Sequence, residues 1–222
     1  MEEDNHDYRG VDIAVQFDAN RCIHARECVE GLPAVFDVSR RPWIDPDAAD
    51  ADEVAAVIER CPTGALRYER RDGGTAESPP DRNTVTPVVD GPLYVRGDVE
   101  LRTLDGETLL EDTRVALCRC GHSGNKPLCD DSHSRVFEAD GLDPAAAATV
   151  DADGEQSGAA DRLTVTLLED GPFRIDGPFD LRSPDGEDEG DDAALCRCGA
   201  SGDKPFCDGT HVTVGFSTAP GE

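Results

Sequence analysis

Two stretches of this chain carry the same four soft metal ligands at the same spacing. Cys196-Arg-Cys198-Gly-Ala-Ser-Gly-Asp-Lys-Pro-Phe-Cys207-Asp-Gly-Thr-His211 and the segment from Cys118 to His133 both read C-x-C-x8-C-x3-H. Three thiols and one imidazole suit a tetrahedral zinc site or an iron–sulfur cluster, because thiolates hold both and a neutral histidine can replace one of them. Spacing alone leaves the two open. Two cysteines one residue apart can chelate one iron while Cys207 and His211 hold a second, whereas zinc pairs more often have about two to four residues between them. The remaining cysteines are Cys22, Cys28 and Cys61. All nine cysteines thus fall into three triplets, and none is left over to pair in a disulfide.

The residues around the ligands sharpen the reading. Cys-Arg-Cys-Gly-x-Ser-Gly-x-Lys-Pro-x-Cys-Asp-x-x-His closely resembles the CDGSH iron–sulfur family, whose domains carry a [2Fe-2S] cluster on three cysteines and one histidine. The resemblance implies one cluster on Cys118, Cys120, Cys129 and His133 and another on Cys196, Cys198, Cys207 and His211. The first copy departs from the pattern at Asp131, where the second has Gly209. If that position needs a positive φ, aspartate adopts it at some cost, so the first site is expected to be the looser.

The third triplet lies in a different setting. Val11–Phe17 alternates like a half-buried strand, Asp18-Ala-Asn20 is a turn signal, and Cys22 to Cys28 reads as a loop entering a short helix. Ala34–Val38 and Pro42–Ile44 read as a hairpin, and Asp47 to Arg60 as a helix with Val54, Val57 and Ile58 on one face and Asp50 or Asp52 as possible caps. Cys61-Pro62-Thr-Gly-Ala-Leu66 leads into a last short strand ending at Glu69, while residues 1–10 are a polar lead with no readable structure. This order of elements is ferredoxin-like, βαββαβ. The segment over residues 8–69 resembles divergent single-cluster ferredoxin domains, in which a cysteine loop is answered by a remote Cys-Pro. The middle cysteine of that loop is here Ala25, so the resemblance implies a [3Fe-4S] cluster on Cys22, Cys28 and Cys61, or a [4Fe-4S] cluster whose fourth iron takes solvent or a side chain such as His24. Three buried structural cysteines are the plain alternative, and His24 reads as a loop residue rather than a ligand.

The elements that must position the paired sites form an internal repeat. Asp81-Arg-Asn-Thr-Val-Thr-Pro-Val-Val-Asp-Gly-Pro-Leu93 aligns with Asp161-Arg-Leu-Thr-Val-Thr-Leu-Leu-Glu-Asp-Gly-Pro-Phe173 at an offset of 80 residues, and the cysteines follow at an offset of 78. Each unit reads as two or three short strands, the cysteine loop, and a closing Phe137 or Phe216. Composition marks linkers over 71–82 and 139–160, which leaves a ferredoxin-like domain over 1–70, a first CDGSH unit over 83–138 and a second over 161–222. A unit of about 55 residues buries little core alone. The two are therefore expected to pack together about a pseudo-twofold axis, as a β-rich internal pseudo-dimer in a monomeric chain; CDGSH domains that occur singly form homodimers of this kind. The fold class is α+β.

Composition bounds the setting. The 222 residues hold 48 acidic and 21 basic side chains, a net charge of −27, and the only lysines are Lys126 and Lys204. This lysine-poor acidity resembles proteins of salt-in halophilic archaea, and it argues against nucleic acid or an anionic membrane as partner. The N-terminus opens with acids rather than a signal peptide, and no apolar run approaches the roughly 18 residues of a membrane helix. The reading is a soluble, cytoplasmic protein.

No phosphate loop, nucleotide fingerprint or nucleophile elbow occurs, so the chain reads as an electron carrier rather than an enzyme. Its partners would be redox proteins. A cluster storage or transfer protein serving apo iron–sulfur proteins is the alternative, and a zinc-stabilised interaction module a third. Lys126 and Lys204, and Arg119 and Arg197 between the paired cysteines, either place a cation near each cluster or are ordinary turn residues.

Overall fold

A computed structural model describes residues 4–148 and 161–218. The chain divides into two compact bodies, one ending at Ser78 and the other starting at Pro79. It is mixed α/β, mostly β with few and short helices.

The first body is a three-stranded antiparallel sheet of β1 (Asn5–Arg9), β2 (Ile13–Asp18) and β3 (Leu66–Arg70), in the order β1-β2-β3. Alternation in β2 turns Ile13 and Val15 inward, where both are buried. They meet the apolar stripe of Val54, Val57 and Ile58 on helix α2 (Ala51–Glu59), which starts where Asp50 caps the Asp52 N–H at 3.0 Å. A shorter helix, α1 (Glu27–Gly31), follows the cysteine loop. Trp43 stands edge-on to Phe17 with ring centroids 5.0 Å apart and also packs near Tyr8 and Phe36.

Two expectations change here. The polar lead contains a strand, β1, which has no apolar alternation of its own and forms on the open edge of β2. The hairpin expected over Ala34–Val38 and Pro42–Ile44 contracts to a single bridge between Phe36 and Ile44. Pro42 has no N–H to give to a ladder. The element order is thus ββααβ in place of βαββαβ.

The second body is one six-stranded sheet built from both repeats. The first contributes β4 (Thr84–Pro87), β5 (Leu93–Thr103) and β6 (Thr108–Leu117); the second contributes β7 (Leu163–Leu167), β8 (Phe173–Ser183) and β9 (Gly186–Leu195). Each repeat forms antiparallel pairs, β4 with β5 with β6, and β7 with β8 with β9. The repeats then join by two parallel pairings, β5 with β7 and β4 with β8. Both long strands change neighbour at a register shift, between Arg96 and Val99 in β5 and between Asp176 and Phe179 in β8.

One core serves the whole sheet. Val95, Val99, Leu101 and Leu117 of the first repeat and Leu163, Val165, Phe173 and Leu195 of the second are fully buried in it. Each such side chain contributes about 1.5–3 kcal/mol when taken from water. Separating the repeats would expose much of that surface. The linker composition of residues 139–160 does not keep all of them off the body. A helix, α3 (Pro144–Ala148), buries Ala147 and Ala148, and Leu142 bridges to Val88; residues 149–160 lie outside the described part.

Candidate metal centres

Each C-x-C pair leaves the end of a hairpin strand, and the loop then folds back onto that strand. In the first repeat the Cys118 N–H donates to Pro127 O at 2.9 Å and the Cys129 N–H to Ala116 O at 2.9 Å. In the second, the Cys196 N–H donates to Pro205 O and the Cys207 N–H to Ala194 O, both at 2.8 Å. The peptides Lys126–Pro127 and Lys204–Pro205 are cis. Both loops are therefore tied to the sheet at the two cysteines that open and close them.

Three further residues shape each loop. Asp130 accepts from the N–H of Gly124 at 2.8 Å and of Ser132 at 3.0 Å, and Asp208 accepts from Gly202 at 2.8 Å and Thr210 at 2.9 Å. The Ser123 and Ser201 hydroxyls donate to the carbonyls of Leu128 and Phe206 at 2.7 and 2.6 Å. The lysine ammonium groups donate to loop carbonyls, Lys126 to Ser123 at 2.8 Å and Lys204 to Ser201 at 2.5 Å. The sequence reading had the aspartates and serines in its motif but gave them no role. Their recurrence at one offset in both copies is the signal that could have found them.

Each histidine lies four residues after the last cysteine, in a short helical turn that starts only after that cysteine, over Ser132–Arg135 in the first repeat and Thr210–Thr213 in the second. His133 follows Asp131, at φ 72°, and His211 follows Gly209, at φ 87°, at the start of α4 (Thr210–Thr213). The position does need a positive φ.

The thiol pairs have the spacing of metal chelates, and each cysteine–histidine pair is closer than a chelate by about 0.3–0.4 Å. Two thiolates on one tetrahedral metal, about 2.3 Å from it, stand about 3.8 Å apart, and a thiolate with an imidazole nitrogen about 3.6 Å. The Sγ atoms of Cys118 and Cys120 are 3.7 Å apart, and those of Cys196 and Cys198 3.8 Å. His133 Nδ1 is 3.2 Å from Cys129 Sγ, and His211 Nδ1 is 3.3 Å from Cys207 Sγ. Each loop thus presents two two-donor pairs. Among the described residues no three His, Cys, Asp or Glu side chains converge as one ion would require.

Electrostatics bias the protonation of the thiols. Within the tightly coupled first pair, the Cys120 thiol hydrogen bond and backbone N–H groups hold Cys118 below the usual thiol range, while Cys120 is pushed up by the same contact and by burial. Burial pushes Cys129 up to about 12 and lowers the His133 imidazole against the pull of Asp131. In the second loop burial raises Cys198.

The two loops meet back to back. A Cβ on Gly121 would stand 2.7 Å from the Cys198 carbonyl oxygen, and one on Gly199 would stand 2.6 Å from that of Cys120. Both glycines have φ near +80°. Only glycine combines that backbone with so close an approach. The arginines between the paired cysteines are buried beside this contact. Arg119 donates to the carbonyls of Gly91, Val88 and Asp140 and lies 5.2 Å from the Phe137 ring centroid. Arg197 donates to Leu168 O and lies 5.1 Å from that of Phe173. Burial lowers the pKa of both, to about 10 for Arg119, so they stay charged at neutral pH. Thiols of the opposite repeat pull the other way, Cys196 on Arg119 and Cys118 on Arg197.

The departure at Asp131 does not leave the first site's cysteines the more exposed. Cys118, Cys120 and Cys129 are all buried, whereas Cys198 and Cys207 are partly exposed. The reason lies outside the motif, in Phe137 and Ala139, which pack on Cys118 and Cys120.

In the first body Cys22 follows a short turn of Ala19–Arg21, Cys28 lies in α1, and Cys61 follows the end of α2. Burial pushes Cys28 up to about 12, with the Cys61 and Cys22 thiols adding to it. Thr63 Oγ1 is 3.6 Å from Cys61 Sγ, and the buried Arg21 guanidinium donates to Thr63 O at 2.5 Å. His24 and Ala25 are exposed, with His24 at φ 57°.

Comparison with known proteins agrees with the chemistry of these donors. Residues 8–71 match the family described as a divergent 4Fe-4S mono-cluster domain, and residues 90–134 and 170–212 each match the iron-binding zinc finger of CDGSH type. An uncharacterised protein of Escherichia coli K12, YjdI, is 42% identical over 64 residues, 29% of this chain and 84% of its own length, as is its counterpart in strain O157:H7. No solved structure matches. Among the described residues no helix is long and apolar enough to cross a membrane. The chain is an iron–sulfur protein that belongs, through its N-terminal domain, to the divergent 4Fe-4S mono-cluster family and carries two CDGSH units in tandem.

Proposed function

We propose that the chain is a three-cluster electron carrier. Cys118, Cys120, Cys129 and His133 hold one [2Fe-2S] cluster and Cys196, Cys198, Cys207 and His211 a second, while Cys22, Cys28 and Cys61 hold a [3Fe-4S] or [4Fe-4S] cluster. The pair-and-pair spacing of donors supports two irons per CDGSH loop, one on each pair, over a single zinc on all four. In the first body, three thiols without a fourth support a three-iron cluster or a cubane with one iron left to another ligand.

Bound, the clusters supply one-electron chemistry. The protein sets the terms on which it runs. One imidazole in place of a thiolate makes a site less negative by one charge and favours the reduced form, giving potentials between all-cysteine and two-histidine sites. The buried guanidinium groups of Arg119 and Arg197 act in the same direction.

The observation that carries electron transfer is the reciprocal contact of the two loops. The backbone of one ligand, Cys120, abuts Gly199, and that of another, Cys198, abuts Gly121. These peptides would join ligand residues of the two clusters. The crossed pairings of β5 with β7 and β4 with β8 support a pseudo-twofold arrangement of the repeats around that contact. In this reading the N-terminal cluster exchanges electrons with the CDGSH pair, and external redox proteins are the partners. Stepwise reduction of anaerobically purified protein, followed by EPR, tests it. Three reversible one-electron couples are expected, and clusters that resist reduction by any protein-accessible donor would overturn the reading.

A further inference from the structure

We infer that the two CDGSH sites are unequal by construction: residues 137–148 form a strap that locks the cluster of the first repeat in place, leaving that of the second repeat as the exchangeable one. This rests on both loops holding clusters, as proposed above, and goes beyond it by assigning them different work.

The strap is stitched down along its length. Phe137 is 9% exposed and packs on Cys118 and Cys120. The Ala139 N–H donates to Asp90 Oδ1 at 2.8 Å and its carbonyl accepts from the Asp90 N–H at 2.9 Å. Asp140 O takes two bonds from Arg119, at 3.2 and 3.1 Å. Leu142 exchanges two backbone bonds of 2.8 Å with the strand beneath, to Pro87 and from Val89. The strap ends in α3, whose Ala148 carbonyl accepts from Arg96 at 3.1 Å.

The same features are thinner at the second site. Its closing Phe216 is only half-buried, and the Thr218 N–H donates to Asp170 Oδ1 at 2.6 Å in the place that Ala139 takes against Asp90. Arg197 donates to one carbonyl where Arg119 makes four such bonds, and its buried Nε has no partner. At the position where the first loop has Leu128, 4% exposed, the second has Phe206, 40% exposed. Both imidazoles are partly exposed, so the inequality lies on the cysteine side.

Exchange at the second site is a ligand substitution. Each bond from iron to Cys196, Cys198, Cys207 and His211 is replaced by one to an acceptor ligand. Protons leave acceptor thiols for the vacated thiolates, any excess goes to solvent, and no oxidation state changes. A local opening that exposes the irons must precede it.

The test is cluster loss from the full-length, anaerobically purified protein in excess EDTA at constant pH, read by visible absorbance and released iron. The N-terminal cluster's share is measured in a Cys118→Ser, Cys196→Ser double variant and subtracted. Two phases of equal amplitude are expected, the slow one at least about tenfold slower, the factor that about 1.4 kcal/mol of extra opening free energy gives. Cys207→Ser should remove the fast phase and Cys129→Ser the slow one. Phe137→Ala should speed the slow phase and leave the fast one unchanged, which tests the strap even if a cysteine variant fails to fold. A single common rate, a reversed assignment, or a slow phase indifferent to Phe137→Ala would overturn the inference. Metal analysis before chelation separates this from failure of the cluster reading: zinc in place of iron overturns both, whereas iron released at one rate overturns only the strap.

Discussion

Gly121 faces Cys198 across the junction of the two CDGSH repeats, so closely that a Cβ on the glycine would stand 2.7 Å from the cysteine's carbonyl oxygen. The mirror contact, Gly199 on Cys120, is as tight at 2.6 Å. Alanine at Gly121 would meet both a left-handed backbone and an immovable carbonyl, a combined cost of about 2–4 kcal/mol. Gly121→Ala should therefore lower the denaturation midpoint of this body and weaken magnetic coupling between its two clusters. An unchanged midpoint together with unchanged coupling would show that the loops do not meet this way.

Arg119 and Arg197 hold equivalent places with different numbers of bonds. Arg119→Met takes the side-chain donor from the carbonyls of Gly91 and Asp140, and stranding a buried acceptor costs about 1–3 kcal/mol; Val88 O keeps the Gly91 N–H at 3.0 Å. Arg197→Met strands no carbonyl, because Leu168 O keeps the Gly171 N–H at 3.2 Å. Urea titration should find the Arg119 variant less stable than the Arg197 variant by at least about 2 kcal/mol; equal losses would contradict the assignment.

The first body has its own acid limit. Arg70 donates to Asp72 at 2.5 and 2.9 Å and to Asp52 at 2.5 Å, which holds the Asp72 carboxyl well below the usual carboxylate range. A depressed folded pKa gives stability that is present above the unfolded value, about 3.9, and is lost as pH falls through the acid range toward the folded value. Asp72→Asn should lower the midpoint at pH 7 and have no effect at pH low enough to protonate both states. Trp43, the chain's single tryptophan, packs in this body and reports the transition by its fluorescence. In molar salt the difference should shrink, because these groups lie at the surface. A pH-independent effect of the variant would exclude the carboxylate as its cause.

Sequence made the candidate ligands legible because metal chemistry fixes residue type and spacing together. The repeat was legible for the same reason, since eight of the thirteen aligned positions ending at Leu93 and Phe173 are identical at one offset. The strand β1 was not, because Asn5–Arg9 has no apolar alternation and owes its structure to the edge of β2. The strap was hidden too. Its alanines and aspartates read as linker, and only three-dimensional proximity to Arg119, Val88 and Asp90 makes them a cover. At Asp131 the motif departure was visible and the need for a positive φ was right. Its consequence was outweighed by burial from Phe137.

Histidine ligation predicts a pH-dependent potential. If reduction makes the ligating imidazole more basic, each electron brings a proton, and the potential falls as pH rises by about 59 mV per unit. Replacing His211 by cysteine should remove that slope at the second site and lower its potential, while the slope at the first site stays. A slope that survives in both His133→Cys and His211→Cys variants would take the imidazoles out of the redox chemistry.

Metal and sulfide content, measured on protein purified without air, bears most directly on the account. Two dinuclear clusters and one of three or four irons predict about seven or eight irons per chain, with matching acid-labile sulfide and strong colour. Colourless protein with about one zinc per CDGSH loop and no sulfide would contradict it.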